Sequence, residues 1–339
     1  MTRRTLLVLG VVLGALTISV ILLNQNDDNA SSNRAVFAPG LKAIAKDASQ
    51  ISIVRSGTDD VTAVRSEGGT WELSSKGNYP ADVGKLGQLI SDLVDARILE
   101  EKTSNPENYA RLGVADPGED GAGTLVTVDA AGESYSVILG EPARGETRYA
   151  RVPDNATSYL IDKNPAAPES ASDWLVAGIV DISPDRVARI SIEHDDGESI
   201  RVEKSDETQS DFVIGDIPKG RELSYATIGN EIAGALAELQ LADVRKYADA
   251  PAETTVQVDT WDGLRLKVDA ISDNETTWLS FAAAPTGEDA QDAAEIADLN
   301  DRLSVWQYQV YDYKKDLIVR LCEYVLKAED PPEEEATAD

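Results

Sequence analysis

The sequence predicts an α+β protein: tandem duplicated units of antiparallel sheet with packed helices, preceded by one N-terminal transmembrane helix. Three observations carry this. The chain opens on a long uncharged apolar run. The alternating stretch Ile51-Ser52-Ile53 returns as Ile190-Ser191-Ile192. Each copy is followed by the same succession of short strands, a helix and a hairpin. Self-similarity of this kind points to two copies of one structural unit.

The run from Leu6 to Leu23 is 18 residues long without one charged side chain. As a helix it extends about 27 Å, close to the hydrocarbon thickness of a bilayer. Arg3 and Arg4 precede it, and Asp27 and Asp28 follow it. Positive charge stays on the cytoplasmic side, so the bulk of the chain is expected outside. Residues 1–23 therefore read as a signal anchor. A cleaved signal peptide is the alternative, since Thr2-Arg3-Arg4-Thr5-Leu6-Leu7 resembles a twin-arginine export signal. The length of the run, and the lack of a small-x-small site after Leu23, favour retention. No cysteine stands directly after the run, which excludes a lipoprotein anchor.

Residues 24–48 read as a polar spacer, Asn24 to Asn33, and a short helix from Leu41 to Ala48 after Pro39-Gly40. The first α+β unit spans 49–165. Ile51-Ser52-Ile53 alternates as a half-buried strand, and Val61 to Val64 and Trp71 to Leu73 supply two more. Tyr79-Pro80-Ala81-Asp82 starts a helix, with proline suited to the first turn and Asp82 to its positive end. Leu86, Leu89, Ile90 and Leu93 form its apolar stripe. A second short helix ends at Gly113, and Pro117 prevents its continuation. Strands at Leu125 to Val128 and Tyr135 to Leu139 meet at a turn on Gly132. The pair Arg148 to Arg151 and Ser158 to Ile161 closes the unit.

A connector at 166–185 carries Trp174 and Leu175. The second unit, 186–327, repeats the order. Ser199 to Val202 and Phe212 to Ile214 follow Ile190-Ser191-Ile192. Ser224 is expected to cap a helix with the stripe Ile228, Ile232, Leu236 and Leu239. Val256-Gln257-Val258-Asp259 mirrors Val126-Thr127-Val128-Asp129, and Leu264 to Val268 completes its hairpin after Gly263. Strands at Trp278 to Phe281 and Trp306 to Val310 come next, and a last helix runs from about Tyr313 to Lys327. Pro285 to Asp298 and an acidic tail at 328–339 read as disordered from their Pro, Glu and Asp content.

The formal net charge of −30, from 61 acidic and 31 basic residues, repels phosphate backbones and argues against a nucleic-acid partner. One cysteine, Cys322, permits no internal disulfide, and with one histidine, His194, it argues against a Cys/His zinc site. His194 lies in Glu193-His194-Asp195-Asp196-Gly197, read as an exposed turn. Its neighbouring carboxylates could make it a general base, but no nucleophile motif accompanies it, and no Gly-x-Ser-x-Gly elbow occurs. Cys322 shares helical spacing with Ile318 and Val325, which suits a small buried hydrophobe. Gly121-Ala122-Gly123 and Gly215 to Gly220 lack the phosphate-cradling pattern and read as turns. Asp195-Asp196-Gly197 and Glu288 to Asp298 lack the ligand spacing of a calcium loop. Trp71, Trp278 and Trp306 sit on strands, which favours core packing over sugar stacking. No residue is thus assigned a catalytic, cofactor-binding or metal-binding role, and no cofactor is expected.

Several segments, in this order, carry a family resemblance: Phe37-Ala38-Pro39-Gly40-Leu41, Ile51-Ser52-Ile53, Trp71-Glu72-Leu73 and Tyr79-Pro80-Ala81-Asp82. Glu101-Lys102-Thr103, Tyr109-Ala110-Arg111-Leu112-Gly113-Val114, Leu139-Gly140, Trp174-Leu175 and Asp181-Ile182 continue it. The chain resembles the bacterial family known as domain of unknown function 4340 (DUF4340). The resemblance implies an exported, usually membrane-anchored protein without established catalytic residues, found beside gliding-type ABC transporters as an auxiliary component. The expectation is a non-catalytic accessory protein, single-pass in the bacterial inner membrane, with a periplasmic C-terminal domain and a transport permease as partner. An anchored envelope polysaccharide-binding module is the alternative, and a carboxylate-dependent hydrolase a further one. A groove lined by exposed tryptophan would favour the first of these, and a deep pocket with two facing carboxylates the second.

Overall fold

The computed structural model describes residues 34–118, 122–215, 217, 221–287, 293–320 and 322–327. The expected anchor at 1–23, the spacer to residue 33 and the acidic tail at 328–339 lie outside them. No helix among the described residues is long and apolar enough to cross a membrane. The chain divides into two compact units between Trp174 and Leu175. Both are mostly antiparallel sheet with a few helices, an α+β architecture.

In the first unit, α1 (Pro39–Ile44) precedes β1 (Gln50–Val54), β2 (Val61–Arg65), β3 (Trp71–Leu73) and the two-residue β4 (Tyr79–Pro80). Next come α2 (Val83–Asp95), β5 (Ile98–Glu101), the one-turn α3 (Tyr109–Leu112) and β6 (Thr124–Ala130). β7 (Glu133–Pro142), β8 (Arg148–Arg151) and β9 (Ser158–Ile161) complete it. The nine strands form one sheet in the order β4-β3-β2-β1-β6-β7-β8-β9-β5. Period-two alternation sets its register. Ile51 and Ile53 are buried and face Val128 and Val126 across the ladder. Ala131 and Gly132, with φ of 50° and 88°, make the tight turn between β6 and β7, where the twist of the strands requires left-handed backbone. Asp82 caps α2 by accepting from the amides of Gly84 and Lys85. Leu86, Leu89 and Leu93 are its buried stripe.

The second unit contains β10 (Gly178–Val180), β11 (Val187–His194), β12 (Ser199–Glu203), β13 (Val213–Gly215), α4 (Ile228–Ala233) and β14 (Leu239–Lys246). It continues with β15 (Thr254–Thr260), β16 (Leu264–Asp273), β17 (Thr276–Pro285), α5 (Ala293–Leu303) and β18 (Trp306–Val310). α6 (Asp312–Ile318) and α7 (Cys322–Val325) end it. Its sheet runs β10-β14-β18-β17-β16-β15-β11-β12-β13. From the opposite end, β13-β12-β11-β15-β16-β17-β18-β14 follows the same connectivity as β3-β2-β1-β6-β7-β8-β9-β5. The register agrees as well: Ile51 lies between Ala63 and Val128, and Ile190 between Val202 and Val258. β4 has no counterpart among the described residues of the second sheet, and β10 at its other edge corresponds in the first unit to no strand but to the isolated bridge between Val36 and Arg97.

Several expectations are corrected. Pro80 belongs to β4, ahead of the helix cap. Ser224 is no cap: its amide donates to the Val325 carbonyl and its hydroxyl to the Tyr324 carbonyl. α4 starts later and ends at Ala233, capped by Gly234, and Leu239 opens a strand. The reading of Pro285 to Asp298 as disordered fails from Ala293 onward, where α5 begins. Leu299 and Leu303 are buried, the Asn300 amide exchanges two hydrogen bonds with the Ala283 backbone, and Glu295 forms a two-pronged pair with Arg186. Specific partners outweigh an acidic composition there. The last helix is broken after Ile318, where the Arg320 carbonyl turns to His194 and the β-branched pair Ile318-Val319 weakens helical preference.

Candidate functional site

The polar side chains at the ends of the sheets show what each unit does with its chemistry. Arg55 follows β1, and its Nε donates to Thr124 Oγ1 at 2.8 Å while Nη2 donates to the Ala167 carbonyl at 3.0 Å. Ala167 lies on the segment leaving β9. Arg148 at the start of β8 holds the same segment, through the Pro165 carbonyl at 2.8 Å and Asn164 Oδ1 at 3.3 Å. Burial, and then the charge of Arg55, lower the Arg148 pKa.

His194 occupies the position of Arg55 in the second unit. Ile51-Ser52-Ile53-Val54-Arg55 matches Ile190-Ser191-Ile192-Glu193-His194, and Thr124 at the start of β6 matches Thr254 at the start of β15. His194 Nδ1 lies 2.9 Å from Thr254 Oγ1, and Nε2 lies 3.3 Å from the Arg320 carbonyl, on the segment leaving β18. The reading of His194 as an exposed turn residue is therefore wrong. It ends β11, is half-buried, and both ring nitrogens are engaged; the turn proper is Asp195-Asp196-Gly197, with Gly197 at φ 92°. Sequence reasoning weighed His194 against a nucleophile and missed Arg55 as its counterpart. The signal was the shared Ile-Ser-Ile-x spacing.

The segments that carried the family resemblance have inward-facing partners. α3 ends on Gly113, whose φ of 65° caps it. Gly140 on β7 touches this turn so closely that a Cβ there would lie 2.6 Å from Val114 Cγ1 and nearer still to the Leu112 carbonyl. Gly123 is likewise pressed against the Ala115 carbonyl and Ile138, a packing role where a turn was expected. Arg151, its side chain 4% exposed, donates to the Val114 and Pro153 carbonyls, pairs with Asp116 at 2.6 Å and covers the Tyr109 ring. Thr103 and Ser158 exchange hydrogen bonds through the Ser158 hydroxyl, and the Phe37 ring meets the Tyr159 ring edge-on.

The remaining candidates are placed as follows. Gly121 lies outside the described residues, as do 216, 218–220 and 288–292. Gly215 ends β13. Cys322 opens α7, and its side chain lies outside what is described. Trp71 is half-buried, Trp278 carries the Arg245 guanidinium over its ring, and the buried Trp306 carries Lys246. No group of three or more His, Cys, Asp or Glu among the described residues could hold a metal ion. A cavity of about 10 Å³ among Ile190, Ile192, Ile232, Val256, Val258 and Ile318 is lined by apolar side chains and is at the lower limit of size for one water. A hollow of about 250 Å³ includes Asp59, Asp60, Ser75, Lys76, Glu169 and Ser172, with no aromatic platform. Another of about 300 Å³ lies along β10, where Arg302 donates to the Ile179 carbonyl and blunts that sheet edge.

A family model for a domain of unknown function, DUF4340, matches residues 71–259. No curated protein and no solved structure matches the chain.

Proposed function

The chain belongs to the DUF4340 family, and on that premise we propose that it is a non-catalytic, membrane-anchored accessory protein built by tandem duplication of one α+β unit. Its place is the bacterial inner membrane, with residues 1–23 as the single span and both units on the periplasmic side. Its partner is the permease of a transport system of the gliding-type ABC class. The observation that carries the non-catalytic reading is the use of the polar side chains. Arg55, Arg148, Arg151 and His194 bind the chain's own carbonyls and hydroxyls. Bonds of this kind position loops, which supports a structural use of these four side chains. The polysaccharide reading is disfavoured because Trp278 and Trp306 have faces covered by Arg245 and Lys246.

A tether raises the effective concentration of a domain for neighbours in the same membrane, so weak contacts suffice. Replacing residues 1–23 by a cleavable signal should weaken the cellular function while the units still fold and are exported. Crosslinking in intact cells should capture permease loops with the anchored form alone. Full activity from the freed form at native levels would overturn the membrane-partner reading.

A further inference from the structure

We propose that His194 is a proton-responsive latch, which tightens the segment from Tyr311 to Arg320 onto the second sheet as pH falls. The inference starts from the equivalence of His194 and Arg55. Both stand two residues past the same Ile-Ser-Ile motif, both reach the threonine that opens the neighbouring strand, and both hold a carbonyl of the segment leaving the equivalent strands β9 and β18. In the first unit the group doing this is a guanidinium, charged at every physiological pH. In the second it is an imidazole, which gains its charge within the physiological range.

The hydrogen bonds fix what protonation does. A carbonyl only accepts, so the Arg320 carbonyl requires the hydrogen on Nε2. In neutral His194, Nδ1 is then an acceptor, and the Thr254 hydroxyl donates to it. On protonation Nδ1 becomes a donor, the Thr254 hydroxyl rotates to accept, and both bonds become charge-assisted. The result is the arrangement that Arg55 and Thr124 keep permanently. Charged groups of both signs lie near it in the chain. Glu193 lies on the same strand, Asp195, Asp196 and Glu198 lie in the following turn and strand, and Glu253 precedes β15. The Arg320 guanidinium, which bonds the Tyr225 phenol, is the positive charge among them.

Besides the latch, the segment is held by the Arg320 guanidinium on Tyr225, by Lys314 and by apolar packing. α6 has seven residues and covers the sheet through Leu317 and Ile318, around the small cavity that they share with Ile190, Ile192, Val256 and Val258. Lys314 ties it to the Gly234 and Ala237 carbonyls, and burial lowers the pKa of that ammonium. A helix so short has little stability of its own. Its opening therefore reports directly on these few bonds.

Hydrogen exchange on the full-length chain tests this, with protection of the 312–320 amides normalised to intrinsic rates and referenced to α2. From about pH 7.5 to about pH 5.5 their protection should rise about fivefold in the wild type, the difference between a neutral and a charge-assisted bond. His194→Arg should be highly protected at both values and His194→Ala poorly protected at both. Equal protection of the wild type at the two values would overturn the proposal. So would a His194→Arg protein as open as His194→Ala. If the alanine variant fails to fold, the wild type and His194→Arg decide alone.

Discussion

Replacing Gly140 by alanine isolates the contact on which the Tyr109–Val114 turn rests. Gly140 has no left-handed backbone, so alanine meets no conformational penalty there, and the whole effect is steric. A Cβ would sit 2.6 Å from Val114 Cγ1, with the Leu112 carbonyl nearer still, and the neighbouring backbone would have to retreat by about 1 Å to reach ordinary contact. Overpacking against backbone falls at the upper end of the usual penalty, about 3 kcal/mol. For a unit of this size that lowers the melting transition by roughly 6–12 °C. Differential scanning calorimetry of the full chain reads it, provided the transition of the first unit is followed separately from that of the second. Gly87→Ala is the matched control. Gly87 is exposed in α2 with nothing near its absent Cβ, so alanine should stabilise by about 0.5–1 kcal/mol. A Gly140→Ala protein melting within 1 °C or so of the wild type would refute the docking argument, and so would a control that loses as much stability.

The Arg186 cluster predicts acid sensitivity in the second unit. Burial raises the Asp262 carboxyl, but hydrogen bonds from Thr260 and Arg186 outweigh it and hold that pKa below the usual range. A depressed folded-state pKa gives stability that is present above the unfolded carboxylate pKa and lost as pH falls through the folded one. Melting of the second unit should therefore drop on acidification below the ordinary carboxylate range. Arg186→Gln should flatten that dependence and raise exchange at the start of α5; an unchanged pH profile would contradict it. Asn300→Leu removes both bonds to Ala283 and should destabilise by about 2 kcal/mol in urea unfolding. Arg151→Lys keeps the charge but loses the fork that reaches Val114, Pro153 and Asp116, and should destabilise the first unit by about 2 kcal/mol, measured the same way.

Much of the sheet was legible because alternation and turn chemistry coincide there. Ile51 and Ile53, Val126 and Val128, and the hairpin at Gly132 each follow from local pattern alone. β5 was not, since Ile98-Leu99-Glu100-Glu101 is half-buried or exposed throughout and shows no period. β10 is only three residues, and β14 was hidden because Leu239 continued the apparent spacing of α4. α5 was masked by acidic neighbours, although its order comes from Arg186 and Ala283, which are distant in sequence. Glycines at 123 and 140 carry no mark that separates close packing from turning. The role of His194 becomes visible only when the two units are aligned and Arg55 falls opposite it.

The strand order bears on how each unit assembles as it emerges from the ribosome. β5 is made early, directly after α2, yet its partner β9 pairs Ile98 with Ile161, some 60 residues later. Until β9 exists, β5 is covered only at its start, where the Ile98 amide donates to the Ala35 carbonyl, while β1, β2 and β3 can already zip. β14 likewise awaits β18, pairing Leu241 with Val310, but it can rest against β10 in the meantime. Topologies dominated by distant pairings fold slowly, because a long loop must close before any contact compensates for it. A nascent first unit truncated before Ser158 should therefore present the rest of the Ile98–Glu101 edge to chaperones, and a nascent second unit the part of Leu239–Lys246 beyond its cover in Gly178–Val180.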